Sequence, residues 1–160
     1  MPDQFIDPVL ILAGLAAALV AGFFLTFSDF VMRALGASAP AAGTEAMQHV
    51  NREVYKSVFM LLFLGYVPVA LTILVLAISS VSTPASGWMI AGSISYLLGV
   101  FTVTALGNVP MNQRLDALDH HSDDGQAYWL IYHARWTRLN HVRTLCSIFT
   151  AASYLAAAFV

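Results

Sequence analysis

From Ser57 to Gln113 the chain contains no Asp, Glu, Lys or Arg, and none follows Arg143. Such stretches are too long for a helix in a soluble core and long enough to cross a bilayer, whose hydrocarbon thickness of about 30 Å takes roughly 20 helical residues. This constrains the fold more than any other feature. Apolar types make up 59% of the 160 residues and charged types 10%, against about 25% in a typical soluble domain.

Breaking the apolar runs at their polar and Gly/Pro-rich interruptions predicts an all-α fold. It is a single integral membrane domain over residues 1–160, a four-transmembrane-helix bundle with spans at roughly 8–27, 57–78, 88–106 and 143–160. Asp7 followed by Pro8 reads as the start of the first helix, an N-cap carboxylate followed by a proline at the first position. No basic residue precedes this run, so it reads as a retained span rather than a signal peptide. Residues 34–43 (ALGASAPAAG) read as a linker, with Thr44 capping the next helix. Pro68 is expected to bend the second span, residues 79–87 to form an uncharged turn, and Gly107 and Pro110 to interrupt the third span. No Gly or Pro follows Gly125, so the fourth helix is expected to be long and to extend beyond the membrane. Its first half is aromatic and basic (Tyr128, Trp129, Tyr132, Arg135, Trp136, Arg138), as suits a projection or an interfacial segment.

All seven Lys and Arg lie in the first and third connections or at their edges. The positive-inside rule places those connections in the cytoplasm and both termini outside. No basic run interleaved with aromatics exists, which removes nucleic acid as a partner. The lone Cys146 allows no internal disulfide and reads as a small buried hydrophobe. Small residues on the third span (Gly92, Ser93, Ser95, Gly99) permit close helix pairing, within the chain or in a homo-oligomer.

The topology brings three sequence-distant polar segments to one membrane face: residues 48–56, 108–114 and 133–143. Gln48, Asn51, Arg52 and Tyr55 recur at helical intervals, as do Trp136, Asn140 and Arg143. Asn108 and Asn112 join them if Pro110 leaves the turn helical. Amides and guanidinium groups at membrane depth are costly unless satisfied by one another, by water or by a ligand. Two readings follow: a pocket that includes Asn108, Asn112, Trp136, Asn140, His141 and Arg143, or cross-links between helices. His141 is the natural general base, because imidazole titrates near neutrality. Glu45, His49 and Glu53 stand at four-residue steps, and His120, His121 and His133 lie on the same side, so a metal-dependent oxidoreductase is a further reading. No compact metal motif is present, and no metal ligand is assigned.

The strings Gly107-Asn108-Val109-Pro110-Met111-Asn112-Gln113-Arg114-Leu115 and Trp136-Thr137-Arg138-Leu139-Asn140-His141-Val142-Arg143-Thr144 carry a resemblance. The chain resembles, over essentially its whole length, the anthrone-oxygenase-like family of small four-helix membrane proteins, largely catalogued as a domain of unknown function. The resemblance implies oxidation of a flat aromatic ketone or phenol of the anthrone type by O2 as co-substrate, with no cofactor expected. It implies catalytic roles for His141, Asn140 and Arg143: His141 removing a C–H proton, the others holding the enolate oxygen. Asn108, Asn112, Trp136, Gln48 and Asn51 would bind substrate, with Trp136 stacking on it. The alternative is a non-enzymatic bundle that binds a quinone-like apolar molecule, a lipid or a partner helix.

Overall fold

A computed structural model of the chain describes residues 3–79 and 83–160, with side chains described from residue 6. Among these residues all regular structure is helical. The elements are α1 (Asp3–Thr26), α2 (Met32–Ala37), α3 (Pro40–Val54), α4 (Val58–Ser79), α5 (Pro84–Ile94), α6 (Val109–Asp116) and α7 (Asp123–Ala157). Three π-helical segments, Phe27–Val31, Ser95–Thr102 and Thr104–Asn108, join α1 to α2 and α5 to α6 without a break in the rods.

Three helical runs among the described residues are long and apolar enough to cross a membrane: Ile6–Ala37, Val58–Ser79 and Pro84–Asp116. Only 39%, 28% and 28% of their most apolar windows is buried inside the protein. The remainder presents bare Leu and Val side chains, among them Leu12, Leu19, Leu61, Val75 and Leu98. Patches of that extent are untenable in water and ordinary in lipid. The chain is a membrane protein.

Several expected boundaries move, each for a local reason. The first helix begins at Asp3, not at Asp7, and holds Pro8 inside it. The linker expected at 34–43 shrinks to Ser38 and Ala39, because α3 starts on Pro40, whose fixed φ and missing N–H suit a first helical position. Thr44 therefore caps nothing and lies buried within α3. The uncharged turn expected at 79–87 falls partly outside the described residues, and α5 starts on Pro84. Gly107 and Pro110 do not end the third rod. The wider π turn ahead of Pro110 lets the helix run on to Asp116.

Helix α7 is the spine, packed along α1 and α5 and against α3, α6 and the π segments. Close approach is set by small residues. A Cβ on Gly99 would collide with the Cys146 sulfur, and one on Gly92 would come within 2.8 Å of the Tyr154 ring. The interior forms two clusters. The larger fills the apolar half of the bundle around Phe24, Phe63, Tyr66, Tyr96 and Tyr154. The smaller packs Met32, Met47 and Leu115 on Tyr128, Trp129, Tyr132 and Trp136, so the aromatic half of α7 is clothed by α2, α3 and α6 rather than projecting bare. Burial holds the Tyr128 and Tyr132 phenols above their ordinary range, so both stay neutral at physiological pH.

Candidate functional site

A cavity of about 310 Å³ lies where the two clusters meet, with Phe24 and Phe63 of the larger and Met47 and Trp136 of the smaller in its wall. Six phenylalanines line it: Phe23, Phe24, Phe27, Phe59, Phe63 and Phe101. Phe23 and Phe59 stack with ring centroids 3.6 Å apart, and Phe24 meets Phe59 edge-on. Tyr55 and Leu64 are exposed and stand at its rim, next to the α3–α4 junction. The polar groups in the wall are few: Asn51, Thr104, Asn112, Trp136 and Arg143, with the Tyr55 phenol at the rim. An aromatic slot with a small set of placed polar groups is the common form of a small-molecule site.

Arg143 is the dominant charge. Its side chain is almost wholly buried, yet the salt bridges among the described residues are all exposed and none involves it. Its guanidinium donates to Asn140 Oδ1 at 2.7 Å and to Thr104 Oγ1 at 3.3 Å, both neutral, and its Nε has no partner. Its charge lies over the faces of Phe24, at 4.3 Å, and Trp136, at 5.0 Å. Burying a cation costs several kcal/mol, and two bonds to neutral groups with two aromatic faces do little more than offset that. The guanidinium is thus held with donor capacity to spare, and nothing negative faces it.

The groups around it are fixed. Asn140 Nδ2 donates to the Phe24 carbonyl and to Ser28 Oγ, each at 2.7 Å, which turns its Oδ1 to Arg143. The Tyr132 hydroxyl and Trp136 Nε1 both donate to Asn112 Oδ1 at 2.8 Å, so Asn112 is pinned with its Nδ2 donors uncommitted. Asn51 Nδ2 donates to the Tyr132 oxygen at 3.4 Å. Each π segment feeds this network. Phe27 and Ser28 come from the first, Phe101 from the second, and Thr104 and Asn108 from the third. Such widened turns re-aim side chains that a regular helix would place elsewhere and are frequent at functional sites.

The structure sorts the residues expected from the sequence into four groups. Asn51, Asn112, Trp136 and Arg143 line the cavity. Asn140 and Asn108 lie behind the wall. Asn108 Nδ2 donates to the Trp136 carbonyl at 3.3 Å while its buried Oδ1 is unpartnered. Gln48 is a tie between elements, donating to the carbonyls of Leu115 and Leu118 at 2.8 Å. His141 is the correction: it is exposed and forms no part of the wall. Asn140, Arg143, Thr144 and Ser147 share the inward face of α7 at three- and four-residue steps. His141, one residue past Asn140, is turned about 100° away. Of the metal reading, no group of three or more His, Cys, Asp or Glu is assembled among the described residues.

Inspection of polar residues misses the Phe and Met wall. The signals for it were present: a Phe-Phe pair three residues before Phe27, and Phe59 four residues before Phe63 on α4. Thr104 carried no signal, because its position depends on the π turn.

Against curated proteins and against solved structures the chain finds no match. Against family models, the one described as anthrone oxygenase matches residues 59–153, from the cavity wall on α4 through Arg143 and most of the remainder of α7. That match covers more than half of the chain and includes both strings of polar motifs, and the chain therefore belongs to the anthrone oxygenase family.

Proposed function

We propose that this chain is a membrane oxygenase that converts a flat aromatic ketone or phenol of the anthrone type to the quinone with O2, without a resident cofactor. The observation that carries this reading is the buried, carboxylate-free Arg143 at the polar end of a phenylalanine-lined cavity. Removing a proton from the methylene of an anthrone moves negative charge to the carbonyl oxygen. A fixed guanidinium in a site of low dielectric stabilises that oxyanion far more than water does. Arg143 supplies the cation, Asn112 Nδ2 is a second donor from α6, and Asn140 and Thr104 hold the guanidinium in place. The six Phe rings and the Trp136 face match a fused aromatic skeleton. O2 is apolar and reaches the cavity through the lipid. In the balanced reaction the methylene loses two hydrogens and gains one oxygen atom, and the second oxygen leaves as water.

In this reading the second half of α7 completes a four-span bundle. Arg33, Arg52, Lys56, Arg114, Arg135 and Arg138 mark the cytoplasmic side, with both termini outside. The cavity then opens toward the cytoplasmic interface. A non-enzymatic binding bundle shares the cavity but gives no turnover, and a homo-oligomer stays compatible with both. Oxygen uptake with anthrone by the purified protein separates them. Arg143→Gln is expected to lower kcat/KM by about 100-fold or more, the scale of one lost oxyanion donor. His141→Ala is expected to retain the parent rate. Equal rates for the parent and Arg143→Gln would remove the reading.

A further inference from the structure

Deprotonation of an anthrone needs a base, and the cavity wall offers none. Among its described lining residues there is no Asp, Glu, His, Lys or Cys. The titratable side chains other than Arg143 in the wall or directly behind it are two phenols: Tyr55 on the rim, just past the end of α3, and Tyr132 on α7. His141 and Cys146, which flank Arg143 in sequence, are not in the wall. Tyr132 already donates its proton to Asn112, and burial keeps it neutral. The segments of α1, α4, α5–α6 and α6 that form the wall contribute no titratable group. The charged residues flanking it in sequence are turned elsewhere: Asp29 pairs with Arg33, Glu53 with Lys56 and Arg52 with Asp116, all exposed, and Arg114 lies over the Tyr128 ring. A protein-borne proton acceptor within reach of the substrate is therefore missing from this geometry, while a counter-charge for an anion is present.

We infer that the cavity receives its substrate already ionised, as an enolate or phenolate whose proton has gone to water or buffer outside, and that Arg143 is the counter-ion that makes the anion the bound form. This rests on the oxygenase reading of the same cavity. The chemistry balances: the substrate C–H or O–H bond breaks in solution and the electron pair stays on the substrate. The anion and O2 then give the neutral quinone and hydroxide, which carries off the second hydrogen with the second oxygen atom, so neither hydrogen needs a base on the protein. Two consequences follow. The anion enters against an unneutralised cation, so binding is tightest for the reactive form. The quinone product is neutral and loses that attraction, which favours its release. The sign of the pH dependence is fixed. A bound acid whose anion is preferred titrates below its free value, so affinity rises with pH between the bound and free midpoints and is level above the free one.

The test uses 4-nitro-1-naphthol, whose anion is coloured and whose ring is too electron-poor to react with O2, and its neutral methyl ether, with the full chain in detergent. The bound naphthol is expected to ionise one to two pH units below the free compound, about a 10- to 100-fold preference for the anion. Arg143→Lys should keep the shift, and Arg143→Gln should abolish it while binding the ether as the parent does. An unmoved midpoint in the parent, with naphthol and ether bound equally, overturns the inference and leaves the aromatic site standing. Binding of neither compound overturns both. A kinetic arm needs no variant. With two oxidisable substrates of different acidity, the acid limb of kcat/KM should move with the substrate. A limb at the same pH for both would reveal a base on the protein and overturn the inference.

Discussion

Replacing Arg143 by methionine should leave the fold about as stable as before, while replacing its neighbour Asn140 by alanine should not. The guanidinium gains one short charge-assisted bond to Asn140, on the order of 1.5–3 kcal/mol, a long one to Thr104, and two cation–π contacts of about 0.5–2 kcal/mol each. Against this stands a desolvation cost of several kcal/mol, with Nε unpaired. The two sides nearly cancel, and an apolar side chain of similar length restores the packing. Arg143→Met is expected within about 1 kcal/mol of the parent, on either side. Asn140→Ala removes two bonds to α1 and the π turn after it, and leaves the buried cation only the long Thr104 bond and two ring faces, for a loss of about 3 kcal/mol or more. In the Arg143→Met background the same Asn140→Ala change should cost only about 1–2 kcal/mol, the two remaining interhelical bonds. The assay is reversible unfolding in mixed micelles, read by tryptophan fluorescence and run as a double-mutant cycle. A loss of 3 kcal/mol or more for Arg143→Met alone would make the residue a structural strut and refute the argument that it is kept, at no gain in stability, for a ligand.

Other substitutions probe the rest of the site. Asn112→Leu leaves the Tyr132 hydroxyl and the Trp136 indole N–H without an acceptor and should cost about 2 kcal/mol, with weaker ligand binding measured by equilibrium titration. Tyr132→Phe removes only one of those donors, so its unfolding midpoint should lie between those of Asn112→Leu and the parent. Gly99→Ala drives a methyl into the Cys146 side chain and should destabilise the bundle by roughly 1–3 kcal/mol in the same unfolding assay, and Cys146→Ala should recover part of the loss.

The membrane character and the polar motifs were legible because each is a property of a single segment. A charge-free run between Lys56 and Arg114 has no soluble solution, whatever packs beside it. Asn108, Asn112, Asn140 and Arg143 stand out because amides and guanidinium groups are rare in such runs. The inward face of α7 could also be read, since Trp136, Asn140 and Arg143 follow the helical period. That same period argued against His141, whose chemistry drew attention that its position on the helix did not support.

Tertiary structure decided what the motifs do. Asn108 and Asn112 share a rod with the third apolar run only because a π turn absorbs Pro110, and that turn also delivers Thr104 to the guanidinium. The cavity is a gap left where side chains from five α-helices and the three π segments fail to fill the space between two clusters, and no one segment encodes a gap. Arg143 is likewise a buried cation without an anion only once every neighbour is in place. Hydropathy and period are local and additive along the chain. Unpaired charge and empty volume are sums over distant residues, so they first exist when the helices meet.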